Sequence, residues 1–213
     1  MRLYLSSFGI GRCPEELLAL LRGRKHVAVV LNAKDGSSEE GRAKSLAEEM
    51  RVMTTLGLEP TELDLRKFFG RSDLLRETLS EIDLVWVRGG NSFVLRRALR
   101  QSGADEILCE FLRLDKIVYG GFSAGVCVLS PSLSGLETVD DPTTAPAGYE
   151  VEPVWDGLGL LPYAVAPHYR SDHPESPAIE RLVQRFIDDR TLFKVLRDGE
   201  AIVVDGEKHV LVG

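Results

Sequence analysis

Residues 121–125 read Gly-Phe-Ser-Ala-Gly, a G-x-S-x-G pattern in which small neighbours let the chain bend tightly enough to expose a strained serine hydroxyl. Ile117, Val118 and Tyr119 before it have strand character, and the apolar stretch after it suits a helix. Ser123 is therefore a candidate nucleophile; its alternative use is as the cap of the following helix. A serine hydroxyl attacks a carbonyl only when a base takes its proton, and the best base is an imidazole oriented by a carboxylate. The chain has four histidines. His26 opens a buried strand pattern and His209 lies in the terminal strand, so both read as structural. His168 directly follows the apolar "YAVA" through Pro167, where a loop at the carboxyl end of a sheet would begin, and it is the preferred base. His173 lies farther along a polar loop and reads as solvated.

The orienting acid is open among Glu137, Asp140 and Asp141 in "GLETVDDP", any of which could reach an imidazole from a covering loop. An oxyanion needs donors, and removing one typically costs about 10²- to 10³-fold in rate. Gly89 and Gly90 in "RGGNS" leave their backbone N–H groups unobstructed, and the N–H of Ala124 follows the nucleophile. Asn91 is placed to hold a polar group of a substrate; otherwise it or Ser92 caps the next helix. A metal reading of His168, Asp172 and His173 matches no established ligand spacing, so no metal and no organic cofactor are expected.

These residues need a scaffold that gathers loops at one end of a sheet. "RLYLSS", "HVAVVLN", "TELDL", "DLVWV" and "KIVYGG" read as strands, and helical patterns separate them. "CPEELLALLRG" starts a helix at a proline and ends at Gly23, and "SSEEGRAKSLAEEMRVMTTLG" has Ser37 or Ser38 as its cap and Gly57 as its stop. "SDLLRETLSE", "FVLRRALRQSG" and "ADEILCEFLRL" are further helices. Apolar strands separated by helices predict a mostly parallel central sheet covered on both faces, with ligand groups at the strands' carboxyl ends. Residues 133–159 read as a long loop over that crevice. "SPAIERLVQRFIDDR" is an amphipathic helix with Ser176 as cap and Pro177 at its first position. "LFKVL", "AIVVD" and "HVLVG" read as three strands forming a C-terminal antiparallel edge.

At 213 residues the chain suits one domain, residues 1–213, burying roughly 70% of its unfolded surface. Hydrophobic residues at 44% and charged residues at 28% describe a soluble globule. With no membrane-length apolar run and no secretory signal pattern, a cytoplasmic location is expected. The net charge of −7 with scattered basic residues argues against a nucleic-acid surface. Three cysteines without C-x-x-C spacing indicate neither a disulfide framework nor a zinc site, and Cys109 and Cys127 read as core residues.

"VRGGNSFVLRRAL", "GGFSAG" and "GLGLLPYAVAPHY", in this order, resemble peptidase family S51, the peptidase E (aspartyl dipeptidase) and cyanophycinase group. The resemblance implies a three-layer fold similar to class I glutamine amidotransferases, with a serine nucleophile at Ser123, its base at His168, and Gly90 and Ala124 as oxyanion donors. It implies an acid between nucleophile and histidine, Asp140 by the D-x-P element or Glu137 by another gap placement. The expected activity is that of a serine peptidase acting on short peptides as a dipeptidase or exopeptidase. The alternatives are a cyanophycinase-like amide hydrolase, an α/β-hydrolase-type esterase, and a non-catalytic binding protein on the same scaffold. In the aspartyl dipeptidases an arginine after the histidine pairs with the substrate's acidic side chain; here that place holds Ala178, with Arg170 and Arg181 as substitutes, which argues against strict specificity for amino-terminal aspartate. The expected partner is a short peptide, with no nucleic acid or membrane, and a homodimer is left open.

Overall fold

A computed structural model describes residues 1–213. Nine strands and seven helices follow in chain order: β1 (Arg2–Ser6), α1 (Pro14–Leu21), β2 (His26–Val30), α2 (Glu39–Thr55), β3 (Glu59–Glu62), α3 (Ser72–Ser80), β4 (Leu84–Val87), α4 (Ser92–Ser102), α5 (Ala104–Arg113), β5 (Val118–Phe122), α6 (Ala124–Cys127), β6 (Ala164–Ala166), α7 (Ser176–Asp188), β7 (Phe193–Val195), β8 (Ala201–Asp205) and β9 (Lys208–Val212). Seven strands form one sheet in the order β3-β2-β4-β5-β1-β8-β9. The first five run parallel; β8 pairs antiparallel with β1, and β9 antiparallel with β8.

Alternation of side chains along each strand separates the core into two layers. Leu3, Leu5, Ala28, Val30, Val85, Val87 and Tyr119 pack with α3, α4 and α5 on one face. Tyr4, Val27, Val29, Leu84, Trp86 and Val118 meet Leu17, Leu20 and Leu21 of α1 and Met53 of α2 on the other. The mostly parallel α/β sandwich expected from the strand pattern is therefore present. A third cluster joins α7 through Leu182, Val183 and Phe186 to β6 and to Leu133 and Leu136. No helix is long and apolar enough to cross a membrane.

Several local details differ from the sequence reading. Strand β3 occupies Glu59–Glu62, ahead of the expected "TELDL", because Leu63 and Leu65 turn inward as the chain leaves the sheet edge. Ser38 is the cap of α2, accepting from Gly41 N at 3.2 Å. Ser176 lies inside α7, whose cap position is Glu175, without a side-chain cap bond. The helix after Ser123 is only four residues long. The C-terminal antiparallel edge contains two strands, not three: β7 leaves it and pairs parallel with β6 in a separate two-stranded sheet.

The segment 133–159 is fastened, not draped. Arg97 of α4 is fully buried and donates to four of its backbone carbonyls: Pro142 and Val151 at 2.7 Å, Thr144 and Glu152 at 3.1 Å. The three cysteines are unpaired; Cys127 is buried and Cys109 packs against the core.

Candidate active site

Ser123 sits where β5 meets α6, at φ 51° and ψ −119°. For a residue with a Cβ this region costs on the order of 1–3 kcal/mol and persists only where surroundings enforce it. The enforcement is visible. A side chain at Gly125 would collide with the Val87 carbonyl, so only glycine lets α6 press against the end of β4. Ser123 N donates to Ser7 O at 3.2 Å, while Ser123 O accepts from Val126 N and Cys127 N. The serine thus begins the helix through its backbone, and its hydroxyl makes no cap bond. That removes the capping use and leaves the oxygen free.

The cleft beside it, about 140 Å³, contains Ser123, His168, Gly89 and Gly90, together with Phe8, Lys34, Arg88, Phe122, His173 and Glu175. Gly89 lies so close that an added Cβ would come within 2.7 Å of Ser123 Cβ and 3.1 Å of its Oγ. Ala124 opens α6 directly after the bend. Asn91 is engaged elsewhere: its Oδ1 accepts from Phe93 N and Val94 N, capping α4, and its Nδ2 donates to Asp141 O at 2.9 Å.

His168 is 1% exposed and adopts a left-handed backbone, φ 60°. Its Nδ1 is 2.7 Å from Asp198 Oδ1. Ser7 joins the two, accepting from His168 N at 2.8 Å and donating to the same carboxylate oxygen at 2.8 Å. Burial lowers the His168 pKa below the usual histidine value, against the opposing hydrogen bond and charge of Asp198. A neutral imidazole with its Nδ1 proton on a carboxylate presents an Nε2 lone pair, the form a proton acceptor requires.

The three acids expected to orient the histidine all lie elsewhere. Asp140 accepts from Ser92 N at 2.9 Å at the start of α4, and burial pushes its pKa up to about 6 despite that bond. Glu137 pairs with Arg185 at 2.6 Å and accepts from Gly135 N. Asp141 holds Thr143 and Thr144. The partner the sequence reading missed is Asp198, which lies between "LFKVL" and "AIVVD", expected there to be neighbours in an antiparallel edge. Parallel pairing places Ala166 beside Val195, so β6 and β7 deliver His168 and Asp198 from the same end. The one sequence signal was a pair of short strands, each followed within a few residues by a polar side chain, "AVAPH" and "FKVLRD".

His173 is not solvated as expected. Its ring stacks on His168 with centroids 3.7 Å apart and planes 8° from parallel, and Phe8 packs against both. Arg170 lies over the Tyr169 ring and Arg181 is exposed; neither lines the cleft. The cations in the cleft are Lys34 and Arg88, and Arg88 is held by Glu48 and Glu49 at 3.1 Å each.

A strained serine on a strand-to-helix bend, sharing a cleft with a carboxylate-held imidazole on a mostly parallel sheet, is the arrangement of a serine hydrolase. The sequence profile of peptidase family S51 matches residues 13–212. The chain belongs to that family and is a serine-type peptidase. It is 29% identical over 163 residues to an uncharacterized peptidase of Listeria innocua, covering 75% of this chain and 72% of that one. With peptidase E of Streptomyces coelicolor it shares 35% identity over 140 residues, 63% of this chain and 54% of the relative. A probable alpha-aspartyl dipeptidase of Drosophila melanogaster is 32% identical over 143 residues, 64% and 56% of the respective chains. The match thus spans about half the length of these last two relatives. The fold matches the crystal structure of a putative peptidase E protein from Listeria monocytogenes with a TM-score of 0.80 at 22% identity, covering 99% of this chain and 97% of that one. It matches a peptidase from an acI-B1 Actinobacterium with a TM-score of 0.70 at 17% identity, covering 100% and 87%.

Proposed function

We propose that the chain hydrolyses short peptides, as a dipeptidase or exopeptidase, through Ser123, His168 and Asp198. His168 Nε2 takes the Ser123 proton as Oγ attacks the scissile carbonyl. The backbone N–H groups of Gly90 and Ala124 stabilise the oxyanion. His168 then passes the proton to the leaving amine, and a water molecule, activated by the same imidazole, releases the acyl group and restores the serine. Asp198 keeps the Nδ1 proton in place throughout and stabilises the transient imidazolium. The observation that carries this reading is the 2.7 Å Asp198–His168 contact in the cleft that also holds the strained Ser123.

Short peptides suit a cleft of this size that pairs a cation, Lys34, with an acid, Glu175, since a free dipeptide carries both charges. The relatives named peptidase E and alpha-aspartyl dipeptidase support the same substrate class. With Ala178 on α7 and neither Arg170 nor Arg181 in the cleft, strict selection of amino-terminal aspartate is not part of the reading. In this reading residues 1–213 act as one unit in the cytoplasm.

The test is Ser123→Ala. It is expected to keep the circular dichroism and melting behaviour of the parent while peptide hydrolysis falls by at least about 10³-fold. A fluorophosphonate probe should label Ser123 in the parent and nothing in the variant. Full hydrolysis by Ser123→Ala would rule the mechanism out.

A further inference from the structure

His173 stands beside the base without a role in the chemistry above, and Glu175 with a role only in matching the charge of the substrate. His168, His173 and Glu175 each offer a ligand atom, and these atoms lie within 4.8 Å of one another. The two imidazoles are adjacent, with ring centroids 3.7 Å apart, and an imidazole nitrogen ligates metal through its lone pair. His168 Nδ1 is already on Asp198. A carboxylate behind an imidazole is how metal sites fix the tautomer and direct Nε2 outward. Two imidazoles and a carboxylate, with a further position open, form a donor set that suits zinc. Magnesium and calcium prefer all-oxygen shells.

We propose that His168, His173 and Glu175 form an inhibitory zinc site, in which the ion takes the His168 Nε2 lone pair and prevents it from accepting the Ser123 proton. Stacked parallel rings hold their lone pairs in separate planes, so His173 must tilt out of the stack for both rings to reach one ion. It gives up a 3.2 Å bond from Glu175 N to Nδ1 and a contact with Phe8, and its half-buried position leaves room to move. Asp172 is exposed and outside the group. The inhibition rests on the reading of His168 as base; the binding does not.

The test titrates zinc chloride, with magnesium chloride for comparison, into the parent, Ser123→Ala, His173→Phe and Glu175→Gln proteins. Binding is read by calorimetry, and blockade by peptide hydrolysis and fluorophosphonate labelling. Zinc should bind the parent and Ser123→Ala alike, suppress hydrolysis and labelling in the parent, and be reversed by EDTA, while magnesium does neither. His173→Phe keeps a ring against His168 but loses a ligand, so zinc should bind it more than tenfold more weakly, since loss of an outer-shell partner alone costs about 10–100-fold. Glu175→Gln should weaken binding in the same direction and stands in if His173→Phe does not fold. Zinc binding to Ser123→Ala that depends on His173, with no labelling of the parent, would sink the serine mechanism and leave the site standing. Equal zinc affinity in the parent and both ligand variants would overturn the site.

Discussion

A carboxylate at the Nδ1 side of an imidazole holds the ring and determines which nitrogen carries the proton. Replacing Asp198 with asparagine preserves shape but lets the amide donate, which favours the wrong tautomer. Asp198→Asn is therefore expected to lower kcat by about 10³- to 10⁴-fold, while Glu137→Gln, on a residue bonded to Arg185 and Gly135, stays within a few-fold of the parent; steady-state kinetics on one peptide separate them. Gly89 offers a second residue-scale test. A methyl there would press on Ser123 Cβ from 2.7 Å, so Gly89→Ala should cost about 100-fold in kcat, the scale of an ångström's misplacement, together with about 1–3 kcal/mol of stability from overpacking. The places of Ser123 on a tight bend and of His168 just beyond a strand could be read from sequence because such a bend demands small neighbours and because a histidine after a strand has few destinations. The place of Asp198 could not, because its contact with His168 depends on which strand lies beside β7, and nothing in "FKV" distinguishes a parallel partner from an antiparallel one. Asn91 was ambiguous for a different reason: a capping side chain and a substrate-holding side chain have the same composition.

At the scale of elements, the parallel strands and their helices were legible because each strand is apolar on both faces and each long helix carries its own start or stop, as with Ser38 on α2 and Gly103 at the left-handed end of α4. The edges were not: β3 is largely exposed and β7 has three residues, too little pattern to fix a register. The start of α4 also explains where Asp140 went. It meets the helix's first N–H groups through Ser92 N, where a negative charge is favoured, but burial outweighs this and holds its pKa near 6. A carboxyl raised in the folded state contributes most below its unfolded pKa, and that contribution is lost as pH rises through about 6. The parent should therefore lose roughly 2 kcal/mol between pH 4 and pH 7.5 from this group. Asp140→Asn, whose amide oxygen can still accept from Ser92 N, should flatten that slope. Urea unfolding at the two pH values measures it; an unchanged slope in the variant would mean that Asp140 ionises normally.

Across the whole molecule, residues 133–159 connect the parts that hold the cleft. Arg97 fastens the stretch to α4 through four carbonyls. Asn91, the cap of that helix, reaches Asp141 O from the loop next to Gly90. Farther along, Tyr149 donates to Asp35 and accepts from Asn32 beside the turn that carries Lys34. The cleft's glycine loop, the turn of Lys34 and the segment 133–159, which lies behind them and does not itself line the cleft, are thus one hydrogen-bonded body, and its keystone is a guanidinium with no carboxylate partner. Its planar fork supplies donors in several directions at once, which a lysine cannot reproduce. Arg97→Met would fill much of the volume but leave four partly buried carbonyls without their donor, at a cost of about 1–3 kcal/mol. The loss should appear first as local opening. Limited proteolysis of Arg97→Met is expected to cut within 142–152 under conditions where the parent is intact and the variant's sheet still gives its native circular dichroism, and Arg97→Lys should recover only part of the protection. Cleavage spread evenly along the chain would instead mean that the segment and the sheet unfold together.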